Sequence, residues 1–371
     1  MKKKVLLTSH NASLSGAPKL LLNLAEVIQK EMGFETDFLL QADGPLKPEF
    51  LAMGEVFLLN RENKSLRDRI KNRIKNENSS IISRLNYDEY SFIIANTIIA
   101  GDLLHEIRIF YSGLILSYVH ELNAIATSLA TEEQIKYLIK STNIFLSPCK
   151  NSKNYLMDSY KIAEDKIHVF PYFIPEMPKV VVENETEKPN FTIGGCGSVD
   201  LRKGTDLFVQ LAAIFKENYP EIPASFIWQG SYEHSLEYKL LLKDVNILGI
   251  EDSCSFRSHK QSSVEFYNSL DVFVLTSRED PYPLVVLESA NLSVPAVCFH
   301  GSGGSPEFIE GNGKVVKYLN LTEMAAAIAY YYHHPEVRLE DGKKAHAKLK
   351  HLHQDRKFIA RKLSELIEAP L

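Results

Sequence analysis

Short apolar runs recur along this chain with helical patterns between them, and they fall into two separate series. Val5–Leu7, Phe38–Leu40, Ser91–Ala95, Ile115–Val119 and Asn143–Leu146 make the first; Phe191–Gly194, Ala224–Gln229, Asn246–Leu248, Val272–Leu275 and Ala296–Phe299 make the second. Runs this short and continuously apolar read as strands buried on both faces, which occur in parallel sheets whose crossovers are helices. Between the two series, Pro171, Pro175, Pro178 and Pro189 interrupt a stretch with neither strand nor helix period, so 171–189 reads as a linker. A chain of 371 residues has room for two α/β domains, each with its own core. The expected division is 1–175 and 188–354, followed by a terminal helix within 355–371.

Composition narrows the function classes only slightly. Hydrophobic content of 45%, charged content of 24% and a net charge of -5 are those of an ordinary globular protein and argue against a general nucleic-acid binder. Cys149, Cys196, Cys254 and Cys298 are widely spaced, which points to neither a zinc site nor a disulfide framework and fits a reducing cytoplasm. The opening Lys2-Lys3-Lys4-Val5-Leu6-Leu7 imitates a secretory leader, but Thr8, Ser9, His10 and Asn11 cut its apolar part short. No apolar run approaches the ~20 residues that cross a bilayer.

Chemistry-bearing residues gather where strands end. After Val272–Leu275 comes Thr276-Ser277-Arg278-Glu279-Asp280-Pro281-Tyr282-Pro283, then a helical pattern from Leu284 to Leu292 that carries Glu288. The first amides of such a helix, with the positive end of its dipole, form a seat for phosphate or sugar hydroxyls. After Phe191–Gly194 comes Gly195-Cys196-Gly197-Ser198-Val199-Asp200-Leu201-Arg202-Lys203-Gly204, a glycine-flanked turn with two adjacent cations that suits a diphosphate. Ile115–Val119 runs into His120-Glu121, and Ser91–Ala95 into Asn96-Thr97. The dinucleotide fingerprint G-x-G-x-x-G is missing after the first strand, where Gly16 stands alone, and Gln41 rather than an acid follows the second. A lone Arg-Lys turn, a single His or an Asn-Thr pair is also common on plain surfaces, so the joint pattern carries the weight.

That pattern resembles the retaining glycosyltransferases of the GT-B fold, similar to glycosyltransferase family four in bacterial surface polysaccharide assembly. The resemblance implies two Rossmann-like domains with parallel sheets facing a central cleft, an amino-terminal acceptor domain and a carboxyl-terminal donor domain, with the last helix packed back on the first domain. The family has two Glu separated by seven residues, the first facing the donor sugar and the second the ribose; here Asp280 and Glu288 fill those places. Lys203 inherits the diphosphate contact, with Arg202 beside it. His120 takes the place of the family histidine near the donor sugar, and the catalytic candidates are therefore His120, Asp280, Lys203 and Arg202. Donor contacts are further implied for Gly16, Ser198, Arg257, Ser258, Tyr282, Leu284 and Val285, and acceptor contacts for Asn96 and Glu121. Phe256-Arg257-Ser258 falls at the family's base-reading loop.

Departures from the family are specific. Proline at 281 and 283 removes two amides beside the first acid, Ser15 and Ser258 replace glycines, and Ser198 stands where an arginine is usual. The implied activity is transfer from a UDP- or GDP-linked sugar to a saccharide or lipid-linked acceptor, with no metal or other cofactor because fixed cations meet the departing diphosphate. A degenerate partner subunit of a transferase and a GT-B nucleotide-sugar epimerase are the alternatives. Arg61, Lys64, Arg67, Arg69, Lys71, Arg73 and Lys75 surround Leu66, Ile70 and Ile74 at helical spacing, a basic amphipathic pattern that would suit peripheral contact with the inner face of the membrane.

Overall fold

A computed structural model describes residues 3–59, 77–178, 190–231, 235–258 and 263–368. The basic segment 61–75 and most of the linker lie outside the described residues. The chain divides into two compact units, Met1–Pro175 with Leu352–Leu371, and Glu176–His351.

The first unit is built on strands β1 (Lys4–Ser9), β2 (Glu35–Leu40), β3 (Val56–Leu58), β4 (Tyr90–Asn96), β5 (Leu114–Tyr118), β6 (Ile144–Ser147) and β7 (Ile167–Val169). They form one parallel sheet in the order β3-β2-β1-β4-β5-β6-β7. Its central strands are the ones the apolar runs marked, since Val5, Leu6, Leu7, Ile93 and Ile94 are wholly buried. Helix Gly16–Met32 covers one side through Leu20, Leu21, Leu24, Val27 and Ile28, and Gly33 ends it in the left-handed conformation. The terminal helix Arg356–Glu368 packs on that helix, burying Ile359 and Leu363 and pairing Arg356 with Glu26 at 2.8 Å.

The second unit carries β8 (Phe191–Cys196), β9 (Ala224–Ser231), β10 (Cys254–Ser258), β11 (Val272–Leu275), β12 (Ala296–Phe299) and β13 (Lys314–Val316), parallel throughout and ordered β10-β9-β8-β11-β12-β13. Phe208, Phe215, Phe226 and Trp228 fill one face of this sheet with edge-to-face aromatic contacts.

One expected strand is corrected. Asn246–Leu248 lies at the end of the helix Leu236–Ile247, with Ile247 69% exposed, and the strand beside β9 is Cys254–Ser258. The four strands that no apolar run marked, β3, β7, β10 and β13, are short, and they are the edges of the two sheets, where a strand need not be a continuous apolar stretch. Both sheets reverse direction of winding at their first strand. The loops leaving β1 and β4, and those leaving β8 and β11, therefore diverge at a switch point, the place where open α/β sheets take ligands.

Candidate active site

At the switch point of the second sheet, two loops far apart in sequence are closed on each other. Gly204 has φ 69°, and a Cβ there would sit 2.0 Å from the Thr276 carbonyl oxygen, so this approach requires glycine. The Thr276 hydroxyl donates to the Gly204 carbonyl at 2.8 Å, and the Arg278 amide donates to the Arg202 carbonyl at 2.8 Å. Arg278 then clamps the start of helix Thr205–Asn218, its guanidinium donating to both oxygens of Asp206 at 2.9 and 2.8 Å and to the Leu201 carbonyl.

This closure brings Lys203 and Asp280 into a hydrogen-bonded ion pair. The Arg202 guanidinium lies 3.7 Å from the same Asp280 oxygen and donates to the Glu279 carbonyl at 3.2 Å. Asp280 is buried, which it can be only because cations compensate its charge. Its backbone is fixed from the other side: its amide donates to the Ser302 carbonyl at 2.7 Å, and Gly303, at φ 132°, leaves no space for a Cβ against the Asp280 carbonyl. The Gly-rich segment 301–304 thus positions Asp280.

Helix Leu284–Asn291 follows, with Pro283 at its N-cap and no side-chain cap. Asp280 is turned to Lys203 rather than capping this helix, and Leu284 and Val285, as its first residues, have no intrahelical acceptor for their amides. Tyr282 lies between the two prolines that lead into it. Glu288, one turn further on, accepts a hydrogen bond from the buried Tyr267 hydroxyl at 2.8 Å. Burial, reinforced by the charge of Glu288, pushes the neighbouring Cys196 thiol up to about 12, and the Tyr267 phenol is also raised, by burial first and then by Cys196 and Glu288. Neither is an acid–base group at neutral pH.

Three of the expected donor contacts are set in local structure. Ser198 gives its hydroxyl to Asp200, whose other oxygen accepts the Lys203 amide at 2.7 Å, so Ser198 shapes the lysine turn. Arg257 and Ser258 end strand β10 instead of forming a loop.

The first sheet's switch point is uncharged by comparison. Gly16 opens helix Gly16–Met32 beside it. His120, just past β5, is held at both ring nitrogens. The Asn96 side-chain NH2 donates to the Ala17 carbonyl at 2.9 Å, which leaves its oxygen to accept from His120 Nε2 at 2.5 Å, while Nδ1 accepts from the Tyr172 hydroxyl at 3.0 Å. That fixes the neutral Nε2–H tautomer. Enclosure, with a smaller effect of His10, pushes the imidazole down to about 3. Glu121 is turned inward, its carboxylate accepting the amides of Ile98 and His120 at 3.0 Å each. Burial outweighs those amides and lifts it to about 7. Asn96 and Glu121, expected as acceptor contacts, are therefore the framework that holds His120 and the loop after β4.

Sequence reasoning placed Thr97 with Asn96 at this edge but missed Tyr172 and Tyr267. Thr97 is buried at φ 79°, a strained conformation for a β-branched residue, and its hydroxyl has no partner among the described residues; nor have the Thr8 hydroxyl and His10 Nδ1 nearby in the first sheet's edge. Tyr172 and Tyr267 gave no local signal, because each reaches its partner from a distant part of the sequence.

Residues 190–334 match a family profile described as Glycosyl transferases group 1. An uncharacterised glycosyltransferase of Haemophilus influenzae is 29% identical over 153 residues, 41% of this chain and 42% of that protein. The chain thus aligns with under half the length of that relative. The alpha-galactosylglucosyldiacylglycerol synthase of Streptococcus pneumoniae is 26% identical over 297 residues, 68% of each. Among solved structures, Anabaena HepE in complex with UDP-glucose superposes with a TM-score of 0.80 over 98% of this chain and 99% of its own, at 16% identity. TarM does so with a TM-score of 0.76 over 100% of this chain and 99% of its own, at 12% identity. At such identities the likeness establishes the fold: two parallel-sheet α/β domains of the GT-B type.

Proposed function

We propose that this chain is a glycosyltransferase that moves a sugar, with retention of anomeric configuration, from a nucleotide sugar to a saccharide or lipid-linked acceptor in cell-surface glycan assembly on the cytoplasmic side. The observation that carries this reading is the Lys203–Asp280 pair with Arg202, set beside the bare helix start at Leu284 and one helical turn from Glu288. A leaving nucleoside diphosphate gathers negative charge as the glycosidic bond breaks, and pre-placed cations and amides stabilise it without reorganising. Lys203 offers three donors, of which Asp280 takes one. Glu288, oriented by Tyr267, meets the ribose hydroxyls, and Asp280 faces the sugar. The UDP and UDP-glucose complexes of HepE, and relatives named for glycolipid and amylovoran biosynthesis, support the same reading.

No side chain here is assigned as a covalent nucleophile; the acceptor hydroxyl attacks on the face from which the diphosphate leaves, and its proton passes to the departing phosphate. Lys203 and Arg202 take the place of a metal ion. Incubating the purified chain with UDP- and GDP-sugars in excess EDTA should release nucleoside diphosphate slowly even without acceptor, and one of the two nucleotides should raise the melting temperature. Neither release nor stabilisation by any donor would end this reading. Activity abolished by EDTA and restored by Mg²⁺ would end its metal-free part alone.

A further inference from the structure

Resting on that reading, we infer that Gln229 reads the base of the bound nucleotide and helps set which nucleotide is accepted. Gln229 lies near the carboxyl end of β9, is 4% exposed, and its side-chain carbonyl oxygen has no hydrogen-bond partner among the described residues. A buried acceptor left unpaired is a standing cost to the unliganded fold, and such groups in native proteins call for an explanation.

Register says where this amide points. Gln229 pairs with Cys196 on β8 and with Arg257 on β10, so the three side chains leave the sheet on one face. The opposite face is the aromatic core around Trp228 and Phe208. On the Gln229 face, Cys196 lies beside Tyr267, and Tyr267 presents its hydroxyl to Glu288. The row Cys196, Gln229, Arg257 therefore continues outward from the ribose carboxylate. Strands in a sheet are spaced by about 5 Å, so Gln229 and Arg257 stand about 5 and 10 Å out from the strand whose loop carries Lys203. A nucleotide with its diphosphate on Lys203 and its ribose on Glu288 would extend its base along this row. Every base edge offers an N–H donor beside an acceptor. Gln229 has the oxygen to take the first, and the half-buried Arg257 guanidinium has only donors, fit for the second or for stacking on the ring.

The test compares wild type with Gln229→Leu and Gln229→Met, in calorimetric titrations with UDP, with GDP and with inorganic pyrophosphate, which has no base. Both variants should bind the preferred nucleotide about tenfold more weakly, the loss expected for one buried hydrogen bond to the ligand. Pyrophosphate binding should not change, and thermal stability should hold or rise, because a side chain with an unpaired buried oxygen has been replaced by an apolar one of similar volume. If both variants keep the nucleotide affinity of wild type within about twofold, Gln229 is only a tolerated core amide and the inference falls. An equal loss for pyrophosphate also overturns it, since the base would then not be what is read. Wild type binding neither UDP nor GDP would remove the donor-site reading itself and this inference with it.

Discussion

The two sheets share one winding plan, and each has a switch point at its carboxyl edge, yet the chemistry assembled there differs. In the second unit, charge is concentrated: Lys203, Arg202 and Asp280 meet in loops that Arg278 and Asp206 lock together. In the first, His120 is neutral, Glu121 is buried and titrates near neutral pH, and Thr8, His10 and Thr97 hold polar atoms without partners among the described residues. A diphosphate needs fixed charge, and a sugar or polyol needs hydroxyl-sized donors and acceptors in a site that does not repel it. Topology thus fixes where a ligand sits, and the residues at the strand ends decide what kind of ligand it is.

The comparison breaks if charge in the second unit is dispensable. Lys203→Ala should lower turnover by about 100-fold or more, since the lysine meets charge that peaks in the transition state. Initial rates on a UDP- or GDP-sugar, with circular dichroism as the folding control, would decide it, and near-normal rates would remove Lys203 from the mechanism. Glu288→Ala should act on binding more than on rate, losing a charge-assisted ribose contact of roughly 1.5–3 kcal/mol, or about 10- to 150-fold in nucleotide affinity. Titration with the free nucleoside diphosphate checks this, and unchanged affinity would reassign Glu288 to holding Tyr267.

The neutral half sharpens the contrast through pH. Glu121, raised by burial from 4.5 to about 7, binds its proton more tightly when folded, so its contribution to stability is complete below pH 4.5 and declines as pH rises toward 7. Glu121→Gln keeps an oxygen to accept the amides of Ile98 and His120 but cannot ionise. The variant should therefore gain on wild type between pH 5 and pH 8, by an amount on the order of 3 kcal/mol at most. Melting curves at the two pH values measure it; a constant difference would mean that the carboxyl does not titrate in this window. His120, lowered to about 3, has the opposite slope, costing stability as pH falls from 6.5 toward 3, so the two effects partly cancel between pH 4.5 and 6.5 in wild type and separate in the variant.

Much of this was legible in the chain. The central strands announce themselves because burial on both faces demands unbroken apolar runs such as Val272–Leu275, whereas the edge strand Cys254–Ser258, half-exposed along most of its length, does not. Apolar Ile247 and Leu248 imitated a strand while lying exposed at a helix end. Lys203, Asp280 and Glu288 were visible as candidates because strand ends and helix starts are where unpaired amides and mobile side chains gather. The inward turn of Glu121 was not visible, since a carboxylate beside a histidine at a strand end looks the same whether it faces ligand or backbone.

By itself, then, the sequence determined two parallel sheets and the set of residues placed at their carboxyl edges, through local pattern alone. Tertiary structure decided the partnerships. Lys203 and Asp280 are 77 positions apart, and Tyr267 and Glu288 are 21 apart, so nothing in local periodicity can pair them. The pairing depends on the closeness of β8 and β11, on a glycine at 204 that lets their loops touch, and on burial that makes an unpaired carboxylate too costly to leave alone.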